Sequence, residues 1–193
     1  FNASGKKLVE HVAAWDMIAV IVNEKNPVKK LSLAQIEGIF TGSIIDWSEV
    51  GGKAGKISIY TRNTSSGTYK SFAQLAMSKK DYASNSQKME GNQPICTEVS
   101  KNVNGIGYVG LAYAKGSDYK TVKVDGVSAK PSKVSEYPLA RKLYYYTVGE
   151  PSSEVAAFLK YATSSEAANA IVEQTGFVPT PVANASIKSS AAK

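Results

Sequence analysis

The chain holds 193 residues, 43% hydrophobic and 20% charged, with a formal net charge of +7. This is an ordinary globular composition able to bury a core, and no apolar run approaches the roughly 20 residues that a membrane-spanning helix needs. Cys96 is the only cysteine and His11 the only histidine, which excludes an intramolecular disulfide, a His/Cys metal cluster and a site needing two histidines. Lysines are scattered, with pairs such as Lys6-Lys7 and Lys79-Lys80 but no basic stripe interleaved with aromatics. The charge therefore reads as a diffuse field suited to small anions or to a secreted surface, and not as a nucleic-acid interface.

In chain order, Phe1 to Glu10 is polar and expected to fray at its start, and His11 falls at a strand or hinge edge. Met17-Ile18-Ala19-Val20-Ile21-Val22 is a continuous β-branched run, predicting a buried strand that Asn26-Pro27 breaks. Ser32 caps a predicted short helix with Leu33, Ile36, Ile39 and Phe40 on one face, stopped by Thr41-Gly42. Ile57, Ile59 and Thr61 alternate with Ser58 and Tyr60, the period of a strand, and a helix follows from Ser66 to about Met77. Lys79 to Gln93 reads as surface loop or short helix, and Glu98 to Asn102 as helix. Ile106–Gly110, Thr121–Val124 (closed by Asp125-Gly126) and Leu143–Thr147 read as strands. In the last, Tyr144-Tyr145-Tyr146 predicts alternating core packing, with a partner surface as the other reading. Helices over Glu154–Tyr161 and Ser165–Gln174 follow, the second stopped by Gly176, and the Ala/Ser/Lys-rich tail 184–193 is expected to be disordered. Cys96 reads as a small buried hydrophobe, and Trp15 and Trp47 as core or hinge residues. Alternating strands and helices without internal repeat predict an α/β fold with mainly parallel sheets flanked by helices.

The richest stretch lies between the Ile57–Thr61 strand and the helix after it. Arg62 stands at the mouth of a loop of small hydroxyl residues, and Ser66, Gly67 and Thr68 open the helix. N–H groups of a first helical turn lack intrahelical acceptors, and the macrodipole there favours negative charge. Hydroxyls can add donors, Gly67 permits close approach to the backbone, and arginine's planar fork suits a tetrahedral oxyanion. A plain N-cap explains Ser66 equally well. On the loop alone the plain cap is the commoner reading, though an arginine here is less readily generic surface charge, because only Arg62 and Arg141 among 23 basic residues are arginines.

Several segments together resemble the phosphate-binding proteins of ABC phosphate transporters, within the type II periplasmic-binding-protein superfamily. They are Asp16–Asn23 with Asn26-Pro27-Val28, then Leu31–Ile36 with Ile39–Gly42 and Asp46–Gly52. Arg62 with Ser66-Gly67-Thr68, Ile106–Gly110, Tyr137–Arg141 and Gly176–Pro179 follow in the expected order. The likeness covers about residues 8 to 180. It implies a two-lobed protein that closes on inorganic phosphate through Arg62, Ser66, Gly67 and Thr68, with no cofactor and no metal. It further implies an extracytoplasmic location, in the periplasm or attached to the cell surface, and delivery to an ABC transporter membrane permease. Residues 16–137 would form the second lobe, and 1–15 with 138–183 the remainder of a first lobe. The family's N-terminal segment, with its Gly-rich phosphate loop, serine and acidic residue, has no counterpart here. The resemblance thus implies an incomplete first lobe with an unpaired sheet edge and exposed apolar surface. It also implies a companion N-terminal segment or self-association, and weakened affinity and anion discrimination for this chain alone. The acid that often follows the family's arginine by two positions is Thr64 here, so Arg62 is expected to be held less firmly, or by another group.

An enzyme is disfavoured on the residues themselves. The loop lacks the Gly-Lys step of a nucleotide-binding P-loop, and no serine elbow pairs with His11. An extracellular interaction or adhesion protein that keeps the fold without the transport ligand stands as the alternative.

Overall fold

The computed structural model describes residue 5 and residues 7–191. Its organising strand is β1 (Leu8–Asn23), sixteen residues long, in which Met17–Val22 are all fully buried. A run apolar at every position suits a strand covered on both faces, and this one is. A short β2 (Lys30–Leu31) leads into α1 (Leu33–Thr41). Ser32 caps α1 through a full capping box with Gln35, and Gly42 ends it in the left-handed region at φ 85°. The chain then passes a single-turn helix over Trp47–Val50, whose Trp47 is buried with Nε1 donating to the Asn104 carbonyl at 3.0 Å.

Next come β3 (Ser58–Arg62), α2 (Gly67–Ala76), β4 (Gln87–Met89), α3 (Asn92–Lys101) and β5 (Gly105–Gly110). After β6 (Tyr119–Thr121) and β7 (Lys123–Val124), the long strand β8 (Ala140–Val148) returns along β1, and α4 (Ser153–Ser164) and α5 (Glu166–Gln174) follow. The chain closes with β9 (Val178–Pro179) and α6 (Thr180–Ala191). No helix of the described residues is long and apolar enough to cross a membrane.

The sheet is mixed, which corrects the expectation of mainly parallel sheets within an α/β class that holds. β3 pairs in parallel with β4 and β5, and β2 with β7, but β1 meets β5, β6, β8 and β9 antiparallel. Hydrophobic period reports which faces are buried and carries no strand direction. β1 changes partners midway: Leu8–Met17 pair with β8, and Ile18–Asn23 with β5 or β6. His11 sits on the first stretch, its Nε2 3.0 Å from Thr147 Oγ1 across the strand pair.

Three further expectations change. The predicted strand Thr121–Val124 is split at buried Val122, its two halves pairing with β1 and β2 separately. The stretch 79–93 contains β4 and the start of α3, whose polar residues gave no apolar period to read. The tail expected to be disordered is helical through Ala191, residues 192–193 lying outside the described set. Ala183 and Ser186, three apart, present one small buried face, and Ser186 Oγ lies 2.7 Å from Ser135 Oγ. Low hydrophobicity hid a helix that small residues make possible by close approach.

The tyrosine strand also departs from the core-packing reading. Tyr145 and Tyr146 are 40% and 54% exposed, and Val148 on the same strand and Val155, Phe158 and Tyr161 of α4 are exposed too. Tyr145 meets Phe158 edge-on at 6.1 Å. β8 pairs with β1 along one edge, and no strand of the described residues pairs with its other edge.

Candidate anion-binding site

β3 ends at Arg62, the loop 63–66 follows, and α2 begins at Gly67. Asn63 starts the turn by accepting the Ser66 N–H at 3.1 Å through its carbonyl. Ser66, 8% exposed, is the N-cap, and its Oγ accepts the Tyr69 N–H at 3.4 Å. The Ser66 carbonyl takes the Lys70 N–H. The Gly67 and Thr68 N–H groups thus remain without a protein acceptor among the described residues, at the positive end of a ten-residue helix. A Cβ built on Gly67 meets nothing within 4 Å, so the space beside this peptide is open.

Arg62 is anchored at both ends. Its backbone N–H donates to Tyr108 Oη at 3.3 Å. Tyr82 Oη lies 3.1 Å from Tyr108 Oη and donates to the Tyr69 carbonyl at 2.9 Å. Each hydroxyl has one proton, so the chain has a single direction: Arg62 N–H to Tyr108, Tyr108 to Tyr82, Tyr82 to the Tyr69 carbonyl. This relay ties the end of β3 to the first turn of α2. Burial pushes the Tyr108 hydroxyl up to about 12 and raises Tyr82 further, so both stay protonated donors at neutral pH. Beneath the relay, Phe72 stacks on Tyr108 at 3.9 Å, and Phe40 meets Phe72 edge-on at 4.8 Å.

The brace missing at Thr64 is supplied from elsewhere. Arg62 Nη1 donates to Asn92 Oδ1 at 3.3 Å, and Nη2 to the Glu90 carbonyl at 3.2 Å. Asn92 Oδ1 also accepts the Gly110 N–H at 3.3 Å, joining the ends of β3 and β5 through the start of α3. Both acceptors are neutral, so the guanidinium charge is oriented without being cancelled. Arg62 Nε is buried and has no acceptor. Sequence reasoning missed Asn92; the available signal was Gly91-Asn92 ahead of a helical stretch, and the pairing with a residue thirty positions away is a product of the fold alone.

Thr68 and Asn92 line one cleft of about 180 Å³, together with Asp16, Arg141 and the turn after β5. Ser66 and Gly67 stand beside Thr68 in the chain but do not line that cleft, and Arg62 reaches it through Asn92. Arg141, half of the chain's arginine complement, is ion-paired with nearly buried Asp16. Cys96 is buried, its Sγ donates to the Tyr113 carbonyl at 3.4 Å, and burial pushes the thiol up, which makes it unreactive.

The fold sets Arg62, with its buried Nε unpaired, at the end of β3, and the open Gly67 and Thr68 N–H groups at the start of α2. The chain belongs to the PBP superfamily, whose domain profile matches residues 1–166. It is 31% identical over 176 residues to the phosphate-binding protein PstS of Bacillus subtilis, a match covering 90% of this chain and 58% of that one. The chain therefore spans under two thirds of that relative's length. Among solved structures, a putative phosphate ABC transporter substrate-binding protein with bound phosphate from Clostridium perfringens matches at TM-score 0.76 and 33% identity. That match covers 93% of this chain and 74% of the other. An ABC-type phosphate transport receptor from Vibrio cholerae matches at TM-score 0.80 and 28% identity, covering 89% and 72%.

Proposed function

We propose that the chain is an extracytoplasmic solute-binding protein, not an enzyme, that captures inorganic phosphate for an ABC transporter and presents it to the membrane permease. The observation that carries this is the Arg62 guanidinium, oriented by neutral acceptors and with Nε unpaired, on the loop that opens α2 with two free N–H groups. Arg62 supplies charge-assisted hydrogen bonds, Ser66 and Thr68 hydroxyl donors, and Gly67 and Thr68 backbone donors. The relatives named for phosphate binding support the choice of ion.

Residues 16–137 are assigned to the second lobe, and 1–15 with 138–183 to the first, with binding and release governed by closure of one on the other. Exposed Tyr145, packed on Phe158 of α4 on one face of β8, lies beside the strand's free edge and is the surface on which a companion segment packs. Self-association through the same face, or an adhesion role, is the competing use of that surface.

All four assigned residues donate to the anion and none accepts from it, so they do not read the proton that separates phosphate from sulfate. Isothermal titration at neutral pH is expected to give saturable phosphate binding, with sulfate within about tenfold of it, a gap of about 1.4 kcal/mol or less. No heat of binding with either ion would oppose the reading.

A further inference from the structure

The second arginine is placed where a cation is unfavourable without a reason. Arg141 on β8 faces Asp16 on β1 in strand register. Its Nε and Nη2 donate to Asp16 Oδ2 at 3.0 and 2.8 Å, and Asp16 is 5% exposed. That leaves Nη1, which donates to the Gly67 carbonyl at 3.3 Å and to Ser71 Oγ. A cation held against the first turn of a helix is opposed by the macrodipole. A generic basic residue of this chain is a lysine, as every one except Arg62 and Arg141 is. The guanidinium's fixed fork presents separate donors to a carboxylate on one side and a backbone carbonyl on the other.

The carbonyl that Arg141 grips belongs to the same peptide unit as the Thr68 N–H. A charged donor on the oxygen polarises the unit and makes that N–H a stronger donor. We infer that Arg141 is a positioning residue for the anion loop: anchored by Asp16, it fixes the first turn of α2 against β1 and β8 and strengthens the Thr68 N–H toward the anion. It acts through the Gly67–Thr68 peptide, from the wall of the cleft that Thr68 also lines. The inference rests on the phosphate reading for its purpose, but its physical core concerns the ligand-free protein.

The test is an amide ¹H–¹⁵N spectrum of the ligand-free chain and its Arg141→Met and Arg141→Lys variants, followed by titration with inorganic phosphate. Arg141→Met is expected to move the Thr68 amide proton upfield and to weaken phosphate binding by about two- to threefold, as that donor loses its polarisation. Arg141→Lys, retaining charge without the fork, is expected to show the same upfield shift with a smaller loss of affinity. A Thr68 resonance unmoved in either folded variant, with changes confined to β1 and β8, would reduce Arg141 to a local ion pair and overturn the inference. If Arg141→Met does not fold, the lysine variant decides on the same resonance. If the parent chain binds no phosphate, the phosphate reading fails while the Thr68 shift still decides the role of Arg141.

Discussion

Replacing Arg62 with alanine is expected to weaken phosphate binding by about 10- to 150-fold, corresponding to the roughly 1.5–3 kcal/mol of charged hydrogen bonding that is lost. The guanidinium is the only cationic group among the four assigned residues, and the helix-end donors of Gly67 and Thr68 remain in the variant. The substitution also strips the Glu90 carbonyl of a donor and leaves Asn92 Oδ1 with only the Gly110 N–H. Arg62→Lys separates charge from geometry: a point charge cannot reach both neutral acceptors, so partial recovery at most is expected. Titration calorimetry on both variants, with far-ultraviolet circular dichroism to confirm the fold, makes the measurement. Unchanged phosphate affinity in a folded Arg62→Ala protein would remove Arg62 from the site.

Replacing Phe72 with alanine is expected to cost about 3–5 kcal/mol of stability, the range for emptying a buried aromatic position. Phe72 is fully buried on the core face of α2, stacked on Tyr108 and edge-on to Phe40. Its loss leaves a cavity directly beneath the tyrosine relay that fixes the Arg62 backbone. Since whole-domain stability is about 5–15 kcal/mol, such a loss is a large fraction of the total. Urea unfolding of the variant against the parent checks it, and a change under about 1 kcal/mol would mean that the aromatic cluster is not the support described here.

Much of this was legible in the residues because local signals are strong where the chain must turn or bury itself. The six apolar residues Met17–Val22, the Ser32 cap, the Gly42 stop and the Ser66-Gly67 helix start all lie where their chemistry places them. Long-range facts were not legible. Nothing local to β1 indicates that it changes partners at Met17, and nothing local to Thr64 shows that Asn92 has taken over as the brace. The tyrosines of β8 illustrate a different limit. An alternating strand tells which residues share a face, but whether that face is covered depends on what else is present to cover it. The α6 helix was hidden because its contacts are made by alanine and serine, whose hydropathy carries no helical stripe.

The central claim is that the start of α2 is the anion-binding end of this chain. A phosphate titration followed by ¹H–¹⁵N resonances of the backbone amides and the Arg62 Nε–H tests it most directly. The Gly67 and Thr68 amides and Arg62 Nε–H are expected to shift together and saturate along one binding curve. Saturable phosphate binding that leaves those three resonances in place would contradict the account.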